Sequence, residues 1–553
     1  MLLRDNPVLI RELLVNLRTN RSFLLQLGYV AVLGLLVYLA WPEQTGSTLM
    51  AGSSSAQRLF NLFYLGQFFM VALLAPTFAS GSITGEKERK TYEMLLASPL
   101  RPSTILIGKL LSSLTYLVLL IISTLPLMIL CYLLGGILLS EVVRAYVVLI
   151  LAAGTFGLLS VACSSFFRRT SSALVVSYLV ILPIAVVFVS LTNAASDEAR
   201  DFFSVALLPS WCLVGWTLIA LVINHRLLRP PDLGSEGKEV VDEEEEQKYA
   251  IGVVIDRDSF PDKLFAPPKR TDLMPDGANP VLEKELRSEI FSQGTLMLRV
   301  VIQVSMLLSV FLMFVWLFYA PEKSGYYISY VLTFNLLVGP VFSAGSITQE
   351  RERKTMGLLL TTLLKPGPIL IAKLLASARV STVLTFLLTE QVLLAYGLTR
   401  ELWPRFWTFF VFMAIIAATC ILTSTVGLLC STLAKRTSVS MVLTYVILMA
   451  LFLGPIGLFN FLQAFFPSIQ EQQLRLLTIT SPYAAALDVP VIAKLISTSP
   501  GLVVTQGQGA SLPGLGLPIW GAYLIFSVGI CPVLFWISSV VFRYRWWKAG
   551  HTI

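Results

Sequence analysis

Six ionisable residues crowd into eight positions, Glu86, Lys87, Glu88, Arg89, Lys90 and Glu93, within "GSITGEKERKTYEMLLASPLRPSTILIGKLL" from Gly81 to Leu111. The same device returns 264 positions later as "GSITQERERKTMGLLLTTLLKPGPILIAKLL" from Gly345 to Leu375, with 19 identities in 31 and no gap. A segment of this kind can present its charges to something in the cytosol. At about 2.5–3.5 kcal/mol per charge at the bilayer centre, burying six would cost on the order of 15 kcal/mol, so the patch belongs outside hydrocarbon. Apolar Met94, Leu95 and Leu96 follow the charges. Pro76 and Pro340 stand five residues before each Gly-Ser pair, and Pro102 and Pro366 close each segment. The spacing predicts a short helix along the membrane surface, over 84–97 and 348–361, wet at its start and apolar at its end. An interfacial helix that merely anchors the loop would fit either copy alone, but its charges would not need to alternate.

Few other residues offer chemistry. His225 and His551 lie at the ends of apolar runs with no second ligand nearby. Cys131, Cys163, Cys212, Cys420, Cys430 and Cys531 lie in apolar runs without a CxxC pair, so neither a metal site nor a disulfide framework is expected. Among ionisable residues inside apolar runs, Lys109 and Lys373 can extend their amines toward the inner surface, while Arg299 and Glu390 stand near span ends. Arg379 sits deep, roughly 18 Å along its helix at 1.5 Å per residue, as a candidate to line a cavity for an anionic cargo or to pair internally. Its repeat counterpart is Thr115. An intramembrane enzyme would need paired carboxylates or a Ser/His set in the spans, and the spans are nearly devoid of acids. No GxxxxGK[ST] phosphate loop occurs; "GSEGKEV" from Gly234 lacks the spacing and the hydroxyl.

The elements that must carry these residues are membrane helices. The chain has 553 residues, 56% hydrophobic and only 13% charged, with a mean hydropathy of +0.76. A span needs roughly 20 apolar residues, and twelve stretches qualify: 22–41, 59–79, 104–134, 142–166, 172–192, 206–228, 295–319, 326–344, 367–398, 405–432, 438–465 and 517–542. An all-α polytopic fold is expected, since the roughly ten-residue alternating strands of a membrane barrel are missing. Cytoplasmic loops retain Lys and Arg. With both termini inside, 29 of these cations fall on inner segments against about 8 on outer ones, so both termini and both charged patches are predicted to be cytoplasmic. The net charge of +8 then suits anionic inner-leaflet lipids and calls for no nucleic acid.

Two further echoes extend the duplication. "NPVLIREL" from Asn6 returns as "NPVLEKEL" from Asn279, and "CSSFFRRTSSALVVSYLVIL" from Cys163 returns as "CSTLAKRTSVSMVLTYVILM" from Cys430. The offsets of 273, 264 and 267 residues, in the same order, describe a six-span unit repeated in tandem. An even number of spans makes the repeats parallel, about an axis along the membrane normal. The expected organisation is a first half over 1–228, a Pro- and acid-rich cytoplasmic tether over 229–278, and a second half over 279–553. That second half carries a long outer loop, 466–516, where short helices could cap the outer face.

With these residues in view, the glycine, charged helix, paired leucines, proline and "ILIGKLL" resemble the cytoplasmic loop between the second and third spans of permeases of type-2 ATP-binding-cassette (ABC) exporters. "NPVLIREL" resembles the connecting helix before their first span. The resemblance implies a membrane permease that exports, in a bacterial plasma membrane, powered by two separate cytoplasmic ATP-binding subunits. It further implies that the loop helix is a coupling helix, with Glu86, Arg89, Lys90, Glu350, Arg353 and Lys354 as docking residues. No cofactor would bind this chain directly, since ATP and Mg²⁺ would sit on the partner. The two halves fused in one chain depart from the single six-span chains common in the family. A membrane anchor for an ATP-driven mechanical or assembly machine, or an ion-coupled secondary transporter, are the alternatives.

Overall fold

The computed structural model describes residues 9–10, 26–28, 30–31, 34, 49–88, 91–97, 102–133, 137–167, 170, 173–181, 184, 208–228, 279–287, 295–314, 324–352, 354–362, 364–398, 403, 406–465, 471–489 and 517–550. Every regular element among them is helical. Eight helices are long and apolar enough to span a membrane, and they coincide with predicted spans. The apolar helices Leu208–Leu228 and Thr295–Met313 match two more predicted spans. The predicted first span, 22–41, falls mostly outside the described residues, as does the end of 172–192.

The two halves use the same helices in the same order. Leu49–Ala79 corresponds to Ser324–Ala344, and each contains an internal proline, Pro76 or Pro340. Pro102–Ser123 corresponds to the longer Pro366–Leu398, Leu139–Phe166 to Trp407–Leu433, and the helical stretch 173–181 to Thr437–Phe452. In each half the proline helix packs against the helices that carry Ser164 or Ser431 and Lys109 or Lys373. The halves then join through one continuous buried cluster, in which Leu73, Leu174 and Tyr178 of the first meet Leu337, Val341, Met441 and Tyr445 of the second.

The interiors differ where the backbones agree. In the second half, Asn335 Nδ2 approaches Ser381 Oγ, Thr385 Oγ1 and Cys420 Sγ at 3.1 Å each, and its Oδ1 accepts from Thr423 Oγ1 at 3.2 Å. The corresponding first-half positions are Val71, Leu117, Ile121, Ala153 and Phe156, all buried and apolar. The first half has its own knot elsewhere, where Gln67 Nε2 donates to Thr124 Oγ1 at 2.7 Å and Tyr146 lies 2.8 Å from the same hydroxyl. Within a bilayer such groups must find partners inside the protein, because hydrocarbon provides none.

Near the other end of the second half, Glu471–Leu474, the tight turn Arg475–Thr480 and Pro482–Asp488 form short helices, as expected for this loop; 490–516 lies outside the described residues. Thr480 Oγ1 donates to Leu451 O at 3.0 Å, and Asp488 Oδ2 accepts the Ile519 amide at 2.9 Å, capping the last helix.

Among the described glycines Gly427 has the least room, since a side-chain methyl would meet Ser343 and come within 3.1 Å of the Ala344 backbone nitrogen. Backbone cannot step aside as a flexible side chain can, so Gly427→Ala is expected to cost about 1–3 kcal/mol through overpacking. Gly457, with open space around it, serves as control: the thermal midpoint in detergent should fall for Gly427→Ala and hold for Gly457→Ala.

Candidate functional site

The predicted continuous helices over 84–97 and 348–361 are each broken in two. The first copy forms Gly81–Glu88 and Tyr92–Leu96, the second Thr348–Glu352 and Met356–Leu360. The hydrogen bonds explain the break. The Thr355 amide donates to Glu350 O at 3.0 Å and the Lys354 amide to Arg351 O at 3.1 Å, with Lys354 in the left-handed region at φ 60°. This pair of reverse bonds is a Schellman stop, which normally places glycine at the left-handed position. The Thr91 amide repeats the longer bond, to Glu86 O at 3.0 Å. Each threonine hydroxyl also bonds the Glu86 or Glu350 carboxylate, tying the second short helix back to the first.

The charges of the first short helices turn toward the protein. Lys87 Nζ donates to the carbonyls of Ser164, Ser165 and Phe167 at 3.1, 2.7 and 2.9 Å. Arg351 does the same in the second copy, to Ala434 O at 2.6 Å and Thr432 O at 3.2 Å. The last carbonyls of a helix have no partner within it and carry its negative dipole end, so each cation stabilises the end of Leu139–Phe166 or Trp407–Leu433. One residue on, the acid serves the opposite terminus. Glu88 Oε1 accepts the Thr170 amide at 2.8 Å, while Glu352 accepts the Thr437 amide at 3.2 Å and hydroxyl at 2.7 Å. Hydroxyls complete the seam: Ser164 Oγ accepts the Ile83 and Thr84 amides at 3.1 and 2.9 Å, and Ser431 Oγ those of Ile347 and Thr348 at 2.9 and 3.1 Å. The echoes at 81–111 and 163–182 are therefore two sides of one latch.

The remaining acid reaches the next span. Lys109 and Lys373, expected to extend toward the surface, are instead 4% and 3% exposed. Lys109 Nζ lies 3.1 Å from Glu86, and Lys373 Nζ lies 3.3 Å from Glu350 and 2.7 Å from Glu285. Glu285 belongs to Pro280–Arg287, the helix formed by the third echo. Asn279 caps that helix through bonds from the Val281 and Leu282 amides at 3.0 and 3.4 Å, with Pro280 at the favoured first position. Val281 buries against Ile369 and Ala372, and Lys284 reaches Glu350 at 3.1 Å. All three sequence echoes thus meet at the foot of the Lys373 helix.

Of the predicted docking residues, Glu86 and Glu350 lie inside this network, Lys354 is exposed at the helix break, and Arg89, Lys90 and Arg353 fall outside the described residues. Arg379 is half-buried midway along Pro366–Leu398. Sequence reasoning missed Lys87, Glu88, Arg351 and Glu352 as helix caps and Lys109 and Lys373 as ion-pair partners. The available signal was that these residues, or their charges, recur in both copies together with Ser164/Ser431 and Thr170/Thr437.

Models of the family described as ABC-2 family transporter protein match residues 33–218 and, separately, residues 291–545. The chain belongs to the ABC-2 transporter family. A comparison with curated proteins found no match. As an ABC-2 permease it is an integral membrane protein and the transport component of an ABC system, a family whose members work with ABC ATPase subunits. The latch then lies on the stretch of each half that carried the resemblance.

Burial alone would raise the Glu350 carboxyl, but Lys373, the Thr355 hydroxyl and Lys284 more than offset it and hold it at about 2, below its ordinary 4.5. A lowered acid contributes stability that is complete above the unfolded value and lost as pH falls toward the folded one. The thermal midpoint of the purified permease should therefore fall between about pH 4.5 and 2. Glu350→Gln should be less stable at neutral pH and show a shallower fall through that window; an identical pH profile would argue against the pair.

Proposed function

We propose that this permease is the membrane half of an exporter in a bacterial plasma membrane, with both termini in the cytoplasm. Its functional units are 1–228 and 279–553, tethered by 229–278. Two cytoplasmic ATP-binding subunits, which carry the ATP and Mg²⁺, dock one on each latch and drive the halves between inward- and outward-open states.

The observation that carries the reading is what the latch leaves outward. Met94 and Leu358 occupy the same position of the two copies, and they are 76% and 72% exposed. Their neighbours on the short helices point inward: Tyr92 is buried beside Ile83 and Leu106, Met356 packs with Ile347 and Leu370, and Leu359 packs with Ile369. Among the described residues around Leu358 the exposed ones are Glu352, Lys354, Gly357, Thr361 and Thr362, so the described surface sets one apolar side chain within a largely polar rim. That pattern suits the centre of a protein interface better than a face dipped in lipid, which would be apolar throughout.

Lys354 adds a second argument. A left-handed lysine costs roughly 1–2 kcal/mol that glycine would avoid, and strain of this kind collects at functional positions. The sequence keeps lysine there in both copies, as Lys90 and Lys354. On this reading Lys354, Arg353 and their first-copy counterparts Lys90 and Arg89 face the partner, whereas Glu86 and Glu350 position the loop and act on docking indirectly. Arg379 is a candidate to line the path for an anionic cargo.

The test is recovery of a co-expressed ATP-binding subunit on the tagged permease. Met94→Asp with Leu358→Asp should abolish recovery, each single change should weaken it, and Lys354→Gly should raise the thermal midpoint while weakening recovery. Full recovery with the double variant would reject docking at these helices. ATPase activity from the purified permease alone would reject the division of labour.

A further inference from the structure

Tyr178 and Tyr445 occupy the same position of the two repeats, and so do Leu73 and Leu337. The Tyr178 hydroxyl donates to Leu73 O at 2.7 Å, and the Tyr445 hydroxyl donates to Leu337 O at 2.6 Å. Both side chains are fully buried. Their rings meet edge to face, with centroids 5.5 Å apart and planes at 74°. In parallel repeats related by an axis along the membrane normal, a side chain can touch its own counterpart only close to that axis. The contact therefore marks the line that both halves border alike.

At this level the line is filled. Each tyrosine stands eight residues beyond the latch threonine, Thr170 or Thr437, which in the second half is about 12 Å along Thr437–Phe452, in the part of a roughly 30 Å hydrocarbon layer nearest the latch. Leu174, Val341 and Met441 complete the same buried apolar cluster.

The tyrosines are also tied to the latches. Each accepting carbonyl precedes a proline by three residues, Leu73 before Pro76 and Leu337 before Pro340, and Thr77 Oγ1 adds a bond to Leu73 O at 2.8 Å. Each proline leaves the carbonyl four residues before it, Ala72 or Leu336, without its helical donor and bends the helix, and Leu73 and Leu337 are the next carbonyls along that bend. The latch follows directly on the far side of each proline. A displaced latch therefore turns its helix about the proline and shifts the carbonyl that holds the tyrosine.

We propose that Tyr178 and Tyr445 form the seal of a transport path between the halves, opened by movement of the latches through the two proline bends. Only the naming of the axis as a transport path rests on the exporter reading; the geometry and the seal can be tested without an ATP-binding subunit. For the geometry, Tyr178→Cys with Tyr445→Cys is made in a variant lacking the native cysteines, with a protease site inserted in 229–278. A short bis-methanethiosulfonate should keep the two halves joined on a denaturing gel after cleavage. For the seal, proteoliposomes of the permease alone are loaded with a small anionic dye. Tyr178→Ala with Tyr445→Ala should release dye several-fold faster than the wild type, and Tyr178→Phe with Tyr445→Phe, which keeps both rings, should stay close to it. Halves that separate despite the reagent, or a wild-type release rate from a double-alanine variant that elutes as the wild type does, would overturn the proposal. If the double-alanine protein does not fold, Tyr178→Leu with Tyr445→Leu is read in the same way. Loss of partner docking with a leak that behaves as expected would fault the exporter reading and leave the seal standing.

Discussion

A lysine buried at the foot of a membrane helix can keep its charge only if an acid is brought to it, because an ion left alone in low dielectric costs several kcal/mol. Lys109 and Lys373 impose that condition on each half, and Glu86 and Glu350 meet it. Much of the cytoplasmic architecture follows. To bring the acid in, the chain must turn back after the proline helix, and once there its neighbours reach two further helix ends. The cation next along the chain stabilises a helix C-terminus, and the acid after it stabilises the following N-terminus. Three successive residues thereby join a loop to three spans, and none of these joints requires hydrocarbon to accept a polar group.

This arrangement changes the meaning of the alternating charges. Acid and base recur in both copies because their targets alternate: an amine at the foot of one span, carbonyls at the end of another, an amide at the start of a third. A surface anchor would tolerate any basic residues, whereas these positions do not exchange sign. The same fact gives the loop stiffness. A load applied at the short second helix is transmitted to the spans through charge-assisted bonds, which are roughly twice as strong as neutral ones, and is not lost in a flexible turn.

The helical class, the duplication and the positions of most spans were legible because hydrophobic length and internal identity are local properties. The latch was legible only as a recurrence. That Lys87 would find Ser164 and Ser165, 77 and 78 residues away, depends on how the helices stand side by side, which no window of sequence contains. The helix break was concealed for a different reason. A Schellman stop is usually announced by glycine, and here lysine takes the left-handed position. The polar knots around Asn335 and Gln67 were invisible as well, since one amide among apolar residues barely alters a span's hydropathy.

What the duplication kept and what it let go are separated along the membrane normal. At the latch, the charged residues correspond at an offset of 264 and the hydroxyls that meet them across the seam, Ser164/Ser431 and Thr170/Thr437, at an offset of 267. Within the spans, Asn335 and its partners face Val71, Leu117 and Phe156 at the equivalent sites, and Gln67 with Thr124 faces Val331 and Leu388. Neutral drift would erode both regions alike, and a requirement for symmetry throughout would have kept both. On the proposed reading, the difference fits two like motors acting on the two latches while the spans face a cargo that presents different chemistry to each half. The axis is where the two demands meet, and there the chain holds the same residue in both copies, Tyr178 against Tyr445. The Asn335 amide could diverge because its partners Ser381, Thr385, Cys420 and Thr423 all lie within its own half. A residue that must pack against its own counterpart cannot change in one copy without altering the contact in both.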